Sequence, residues 1–195
     1  MRDRQSKPDH IRADHIHRYQ FAADKAQGPV LDAACGIGYG SKMLADKGHE
    51  VTAVDISREA LDTARKHYAS PGIQWVKGDV ELSPWDGQTF QTIVSFETLE
   101  HLKHPGAVLA SFRTSIRPNG RLFCSVPNEE YMPFASKNFS GDEYPHLRHY
   151  TPTEFDNLLR AFRWRPLERH CQKTKMGPVE DGTQGIFLVY ECAPI

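Results

Sequence analysis

An α/β fold with a mostly parallel central sheet is what the sequence predicts, on three observations. Short apolar runs, VLDAA (30–34), VTAVD (51–55), IQWV (73–76) and TIVSF (92–96), alternate with amphipathic segments. The runs are apolar on both faces, as strands covered by helices on either side must be, whereas a sheet with one wet face alternates apolar and polar. A glycine-rich loop, CGIGYG (35–40), stands between the first run and the helical segment after it, where a βαβ unit turns.

The elements follow in order. Ile16, Tyr19, Ala22, Ala23 and Ala26 recur at helical spacing between Asp9 and Ala26, and Gly28-Pro29 ends the pattern. The helix after the glycine loop runs to Gly48, and a second spans about Ser57 to Tyr68. Ser83-Pro84-Trp85-Asp86-Gly87 reads as a polar loop ahead of the strand that ends at Phe96. A helix from Pro105 to about Ile116, the turn Arg117-Pro118-Asn119-Gly120 and the strand RLFCSVP (121–127) come next.

Thr151-Pro152-Thr153-Glu154 combines a capping box with proline at the first helical position, opening a helix to about Phe162. Trp164 to Cys171 and Gly185 to Cys192 are strand candidates that can pair as a hairpin at one sheet edge. Asn128 to Tyr150 lacks periodicity and sits past a strand's carboxyl end, where open α/β sheets bind ligands. The chain therefore reads as one domain over 1–195, with a helical segment at 1–28 and a substrate-side loop insertion at 128–151.

Twenty-four Lys plus Arg against 25 Asp plus Glu leave a net charge of -1, so bulk charge argues neither for constitutive nucleic-acid coating nor for a polybasic membrane surface, and a local basic patch stays open. No apolar run approaches the roughly 20 residues of a membrane span, and MRDRQSKPDH lacks the apolar core of a signal peptide. A cytoplasmic location is expected. Cys35, Cys124, Cys171 and Cys192 are far apart and form no C-x-x-C pair, so a disulfide framework or zinc knuckle is disfavoured.

Gly36, Gly38 and Gly40 let the backbone approach a ligand closely. Asp55 ends the next strand, where a carboxylate can accept from both hydroxyls of an adenosine ribose; this much serves NAD as well as S-adenosylmethionine. Asp32, inside the first strand, suits an ammonium group rather than a pyrophosphate. Asp79 in KGDVE can accept from an adenine amine while the Val80 N–H reaches a ring nitrogen. Three acids at three consecutive strand ends suit an amino-acid-bearing nucleoside with a cationic sulfur.

VLDAACGIGYGS, VTAVDIS, KGDVELSPW, TIVSFETLEHL and IRPNGRLFCSVPN together resemble the successive motifs of class I S-adenosylmethionine-dependent methyltransferases, over roughly Val30 to Phe162. The resemblance implies a Rossmann-like three-layer α/β/α sandwich. Its seven-stranded, mostly parallel sheet would have the order 3-2-1-4-5-7-6, with the last strand antiparallel. By position, it implies that Asp32 and the loop through Ala34, Cys35, Gly36 and Gly38 hold the methionine part, with Tyr39 beside it. It further assigns Asp55 to the ribose, Asp79 with Val80 to the adenine, and Phe96 with Glu97 to the methyl-donor side, and counts Ile56 among the cofactor-binding residues. The family loop more often has an acid, one residue, then glycine; here Ala33-Ala34-Cys35 precede Gly36.

Glu97, Glu100 and His101 stand at i, i+3 and i+4, so on a helical turn they face one way, and YPHLRHYT offers His146 and His149. The set resembles the metal-binding subset of the family, which includes small-RNA 2′-O-methyltransferases and ubiquinone-pathway O-methyltransferases. That resemblance implies Mg, Mn or another divalent cation held by Glu97, Glu100, His101 and His146. His149, with His101 and Glu97, is then a candidate for handling the acceptor's proton. Without metal, His101, His146 or His149 serves as a simple base, or the Glu-His run merely caps a helix.

The run His15-Ile16-His17-Arg18-Tyr19 either closes over the cofactor, with Arg18 or Tyr19 near its carboxylate, or packs on the sheet with a polar His/Arg face left open; packing is favoured. Arg160, Arg163, Arg165 and Arg169 are read as complementing a helix dipole rather than as a phosphate site. The chain has Ser95-Phe96-Glu97-Thr98 where amino-methylating DNA enzymes place Pro-Pro-aromatic, and it has no Pro-Cys, which disfavours DNA bases. The expected activity is methyl transfer to oxygen of a small molecule, sugar or glycan. RNA 2′-O-methylation, a nicotinamide-dependent oxidoreductase and a non-catalytic cofactor-binding module are the alternatives.

Overall fold

The computed structural model describes residues 11–85, 87–135 and 144–195. The expected helix start at Asp9, Asp86 of the polar loop, and 136–143 of the loop after RLFCSVP lie outside these. The elements are α1 (Ala13–Lys25), β1 (Val30–Ala33), α2 (Tyr39–Asp46), β2 (Val51–Asp55), α3 (Arg58–His67), β3 (Ile73–Lys77), β4 (Phe90–Phe96), α4 (Pro105–Ser115), β5 (Ile116–Pro127), α5 (Pro152–Ala161), β6 (Trp164–Gln172), β7 (Glu180–Asp181) and β8 (Phe187–Pro194). One-turn 3-10 helices lie at Val80–Leu82 and Leu99–His101.

One sheet carries every strand, in the order β3-β2-β1-β4-β5-β8-β6-β7. Strands β1 to β5 pair in parallel, and β8 runs antiparallel to both β5 and β6. With β8 taken as the seventh strand, this is the expected order plus one addition. The two-residue β7 pairs with His170 and Cys171 at the edge, inside a stretch expected to be only a connection. A pairing this short, between polar residues, leaves no periodicity to read.

The turn expected at Arg117–Gly120 is absorbed into β5. Phe90 pairs with Ile116 and Thr92 with Arg121, so the extra residues bulge out of the ladder. The capping box forms as expected: the Thr151 side chain accepts from the Glu154 N–H, and Glu154 returns the bond to the Thr151 N–H. Ser57 likewise caps α3, accepting from the Ala60 N–H.

The strands alternate between two cores, which makes three layers. Val30, Ala53 and Val94 join Tyr19, Ala22, Leu44 and Leu61 under α1, α2 and α3. Leu31, Val54 and Ile93 join Phe112, Phe155 and Trp164 under α4 and α5. Each Val, Leu, Ile or Phe among them contributes about 1.5–3 kcal/mol when fully buried, which is why both faces of β1, β2 and β4 are largely apolar. Among the described residues, no helix is long and apolar enough to cross a membrane.

Two glycines set the close packing around the loop after β1. A Cβ on Gly38, whose φ is 87°, would stand 2.5 Å from the Trp75 ring and 2.7 Å from the Ala64 methyl; one on Gly40 would stand 2.2 Å from the Tyr19 ring. Gly40 thus lets α1 lie directly on α2. All five parallel strands end at the same edge of the sheet, so the segments following them converge there.

Candidate active site

The loop between β1 and α2 turns through residues with positive φ: Ala34 at 63°, Gly36 at 56° and Gly38 at 87°. Ala34 stands where the resembled loop more often has glycine. The turn is kept despite the Cβ, at a strain of about 1–2 kcal/mol. Its closure comes from Asp55: Oδ2 accepts from the Gly36 N–H at 2.7 Å, and Oδ1 accepts from the Ser57 N–H at 2.8 Å. Burial raises the Asp55 pKa, while the bonds from Ser57 and Gly36 oppose that rise. A carboxylate offers about four lone-pair sites, so the bonds from Ser57, Gly36 and Ile56 leave it capacity to accept from a ligand. Beside it Ile56 is 43% exposed, an apolar surface open at the rim.

Asp32 lies beneath the loop, fully buried. Its Oδ1 accepts from the Tyr19 hydroxyl at 2.9 Å and its Oδ2 from the Ser41 hydroxyl at 2.6 Å. Both oxygens thus already serve the protein, and the arrangement ties α1 and α2 to β1. Burial pushes its pKa up to about 6, against the lowering effect of the two hydroxyls.

Because the folded pKa exceeds the ordinary 3.8, the stability contributed by this group is full below about pH 4 and lost as pH rises through about 6. The shift corresponds to about 3 kcal/mol. The stability gap between the native chain and Asp32→Asn, measured by urea unfolding at pH 4 and pH 7, should move in the variant's favour by about that amount. A gap independent of pH would contradict the buried-carboxyl account.

Cys35 is buried within the loop and donates its backbone N–H to Val54 O at 2.9 Å. The Tyr39 hydroxyl lies 3.1 Å from His15 Nδ1, and the Tyr19 ring meets Tyr39 and Phe96 edge-on at 5.4 and 5.2 Å. After β3, Asp79 caps the Val80–Leu82 turn, accepting from the Glu81 N–H at 2.9 Å, with Val80 buried. Asp55, Asp79 and the glycine loop thus lie at neighbouring strand ends, as expected.

The N-terminal helix packs on the sheet, but its Arg18 is not on an open face. The guanidinium is fully buried, 3.4 Å from Asp14, 3.3 Å from Glu97 and 4.7 Å above the Phe187 ring. A buried cation must be paired, and Asp14 one turn earlier on the same helix supplies the partner. That spacing was the overlooked signal. Arg169 of β6 also has a structural role, pairing with Asp156 of α5.

Beyond β4 the expected ligand set comes together only in part. Glu97 has φ 50° and the 3-10 turn begins at Leu99, so Glu97 is off the helical face that the i, i+3 spacing presumed. Its Oε1 accepts from the Ser125 hydroxyl at 2.8 Å and faces Arg18. Glu100, His101 and His146 do converge: one ligand atom from each lies within 4.8 Å of the others. Glu100 is fully buried, and neither carboxylate oxygen has a hydrogen-bond partner among the described residues. Burial, then the charge of Glu97, drives its pKa well up.

The Leu147 N–H donates to Glu100 O at 2.8 Å, stitching the histidine loop to this turn. His146 is held neutral, its pKa lowered to about 3 by burial and by the neighbouring histidines. His149, expected as a base, is placed otherwise: Nδ1 lies 2.6 Å from Met132 O and Nε2 lies 2.8 Å from His146 Nδ1. With both ring nitrogens engaged inside the protein, neither is aimed at an acceptor.

Comparison with known proteins agrees with this architecture. Residues 5–168 match the family model described as a methyltransferase domain. The chain is 31% identical over 184 residues to the ubiquinone biosynthesis O-methyltransferase of Photobacterium profundum, covering 84% of this chain and 76% of that protein. It spans about half the length of other curated relatives it matches, such as the enzyme of the same name from Aeromonas salmonicida, 32% identical over 118 residues, 57% of this chain and 50% of that protein. Among solved structures, the CcbJ methyltransferase from Streptomyces caelestis superposes with a TM-score of 0.76 at 20% identity, over 93% of this chain and 90% of that one. The nicotinamide alternative, which the glycine loop and Asp55 alone would permit, gives way to these matches. The chain belongs to the methyltransferase domain family and is built as a class I S-adenosylmethionine-dependent methyltransferase.

Proposed function

We propose that this protein transfers a methyl group from S-adenosylmethionine to a hydroxyl oxygen of a small-molecule acceptor, with a divalent cation held at Glu100, His101 and His146. The observation that carries the reading is the buried Glu100 carboxylate, whose oxygens lack hydrogen-bond partners among the described residues while two imidazoles converge on it. A buried carboxylate without compensation is costly, and a cation is the group that this oxygen-and-nitrogen donor set fits. The relatives named as O-methyltransferases support the choice of oxygen.

In this reading the residues divide the work by strand. Asp55 accepts from the ribose hydroxyls, Asp79 and the Val80 N–H engage the adenine, and Ile56 offers the base an apolar surface. The loop from Ala34 to Gly38, with Cys35 and Tyr39, brings its backbone to the methionine part. Asp32 acts from beneath, holding Tyr19 and Ser41 so that the loop keeps its shape. Phe96 lines the methyl-donor side.

A divalent cation supplies a Lewis acid that lowers the pKa of an acceptor hydroxyl. Glu97 stays with Arg18 and Ser125 and shapes the edge of the site. With His149 withdrawn and His101 committed to the cation, Glu97 is the candidate among these residues to receive the acceptor's proton. Tyr131, Tyr144 and Leu147 of the segment after β5 are exposed and offer apolar surface to an acceptor.

Methyl-labelled S-adenosylmethionine with 3,4-dihydroxybenzoate as a hydroxyl probe and 3,4-diaminobenzoate as its nitrogen counterpart tests this. Label should enter the hydroxyl probe in manganese and fall at least tenfold in chelator, a loss of about 1.4 kcal/mol or more of transition-state stabilisation. Transfer to the amine alone, or transfer insensitive to chelator, would overturn it.

A further inference from the structure

We propose that His149 is a positioning residue for a cation at Glu100, His101 and His146, fixing the tautomer and aim of His146 through a hydrogen-bonded relay that starts at the Met132 carbonyl. The inference rests on the cation reading above and extends it to a residue that touches neither cation nor acceptor.

The relay follows from which atoms can donate. Met132 O can only accept, so the contact of 2.6 Å requires a proton on His149 Nδ1. The Glu129 carboxylate, 3.9 Å from the same nitrogen, favours the proton there too. With Nδ1 donating to Met132 O, Nε2 is the nitrogen through which His149 can accept. The 2.8 Å contact between that atom and His146 Nδ1 accordingly needs its proton on His146. An imidazole with its proton on Nδ1 keeps the lone pair on Nε2, the form in which it binds a metal. Ligating histidines commonly donate their other ring N–H to an acceptor that orients them; here the acceptor is a second histidine, itself anchored to the main chain.

The anchor is rigid. The Met132 N–H donates to Asn128 O at 2.8 Å, and Asn128 and Tyr150 form a parallel bridge at the end of β5. The Asn128 side-chain amide donates to Thr183 O and Gly185 O at 2.9 and 2.8 Å, and the Tyr150 N–H to Pro127 O at 3.2 Å. Both ends of the relay therefore hang from one strand end, while Leu147 ties the intervening loop to Glu100. The His149 side chain is 1% exposed and the Phe134 ring stands 5.4 Å away, leaving the imidazole little freedom to turn. A histidine that only filled space would not need each nitrogen aligned on an acceptor-to-donor chain ending at a ligand.

The test uses the full chain and manganese alone, with free Mn2+ followed by electron paramagnetic resonance and no cofactor or acceptor present. His149→Phe, which keeps the volume but breaks the relay, should weaken Mn2+ binding by about 10- to 100-fold. His149→Gln, whose side-chain carbonyl can accept from His146 Nδ1, should recover most of that loss. Native chain that binds Mn2+ while His149→Phe binds it equally well overturns the relay and leaves the cation site standing. Equal weakening in His149→Phe and His149→Gln also overturns it, because a purely structural role would not distinguish an acceptor from a ring. Native chain that binds no Mn2+ overturns the cation reading and this inference with it.

Discussion

Asp55→Ala should weaken S-adenosylhomocysteine binding by about 3 kcal/mol, roughly 100-fold, while the chain stays folded. Two effects add. The ribose hydroxyls lose a charged acceptor, and the glycine loop loses the carboxylate oxygen that accepts from Gly36. Asp55→Asn should rescue little: one oxygen accepts from the Gly36 N–H and the other from the Ser57 N–H, so an amide must turn its NH2 toward one of these donors. Calorimetric titration of the three forms checks this, and a folded Asp55→Ala that binds as tightly as the native chain would remove Asp55 from the site.

The second large effect is of opposite sign for stability and for binding. Glu100→Met keeps the approximate volume but removes a fully buried carboxylate whose oxygens have no hydrogen-bond partner among the described residues. In chelator the variant should be more stable than the native chain by about 1–3 kcal/mol, the scale of a stranded buried polar group. It should also lose manganese binding altogether. Such a trade between stability and a functional burden is common at active sites. A variant that is less stable in chelator would mean that Glu100 is already well compensated without any cation.

What could be read in the sequence was local. The glycine loop, the capping box at Thr151 and the acids at Asp55 and Asp79 announce themselves because each motif is complete within a few residues. The sheet order came with the family resemblance, and the short β7 escaped because two polar residues carry no pattern. Glu97 shows where spacing misleads: three residues apart means one face only on a continuous helix, and a backbone at φ 50° breaks that premise.

Other parts of the site depend on partners distant in the chain. Arg18 looked like an exposed cation until Phe187 and Glu97 closed over it. His149 read as a base because its neighbours in sequence say nothing of Met132 O, a main-chain acceptor that any residue would provide. Ser41 and Ser125, which steady Asp32 and Glu97, have no signature apart from the acids they serve.

The most direct test of the central claim, that the strand-end acids and the glycine loop form an adenosyl site, is a calorimetric titration of the full chain with S-adenosylhomocysteine in chelator. Saturable binding at one site per chain, greatly weakened by Asp55→Ala, is the predicted result. No binding, or binding indifferent to Asp55, would contradict it.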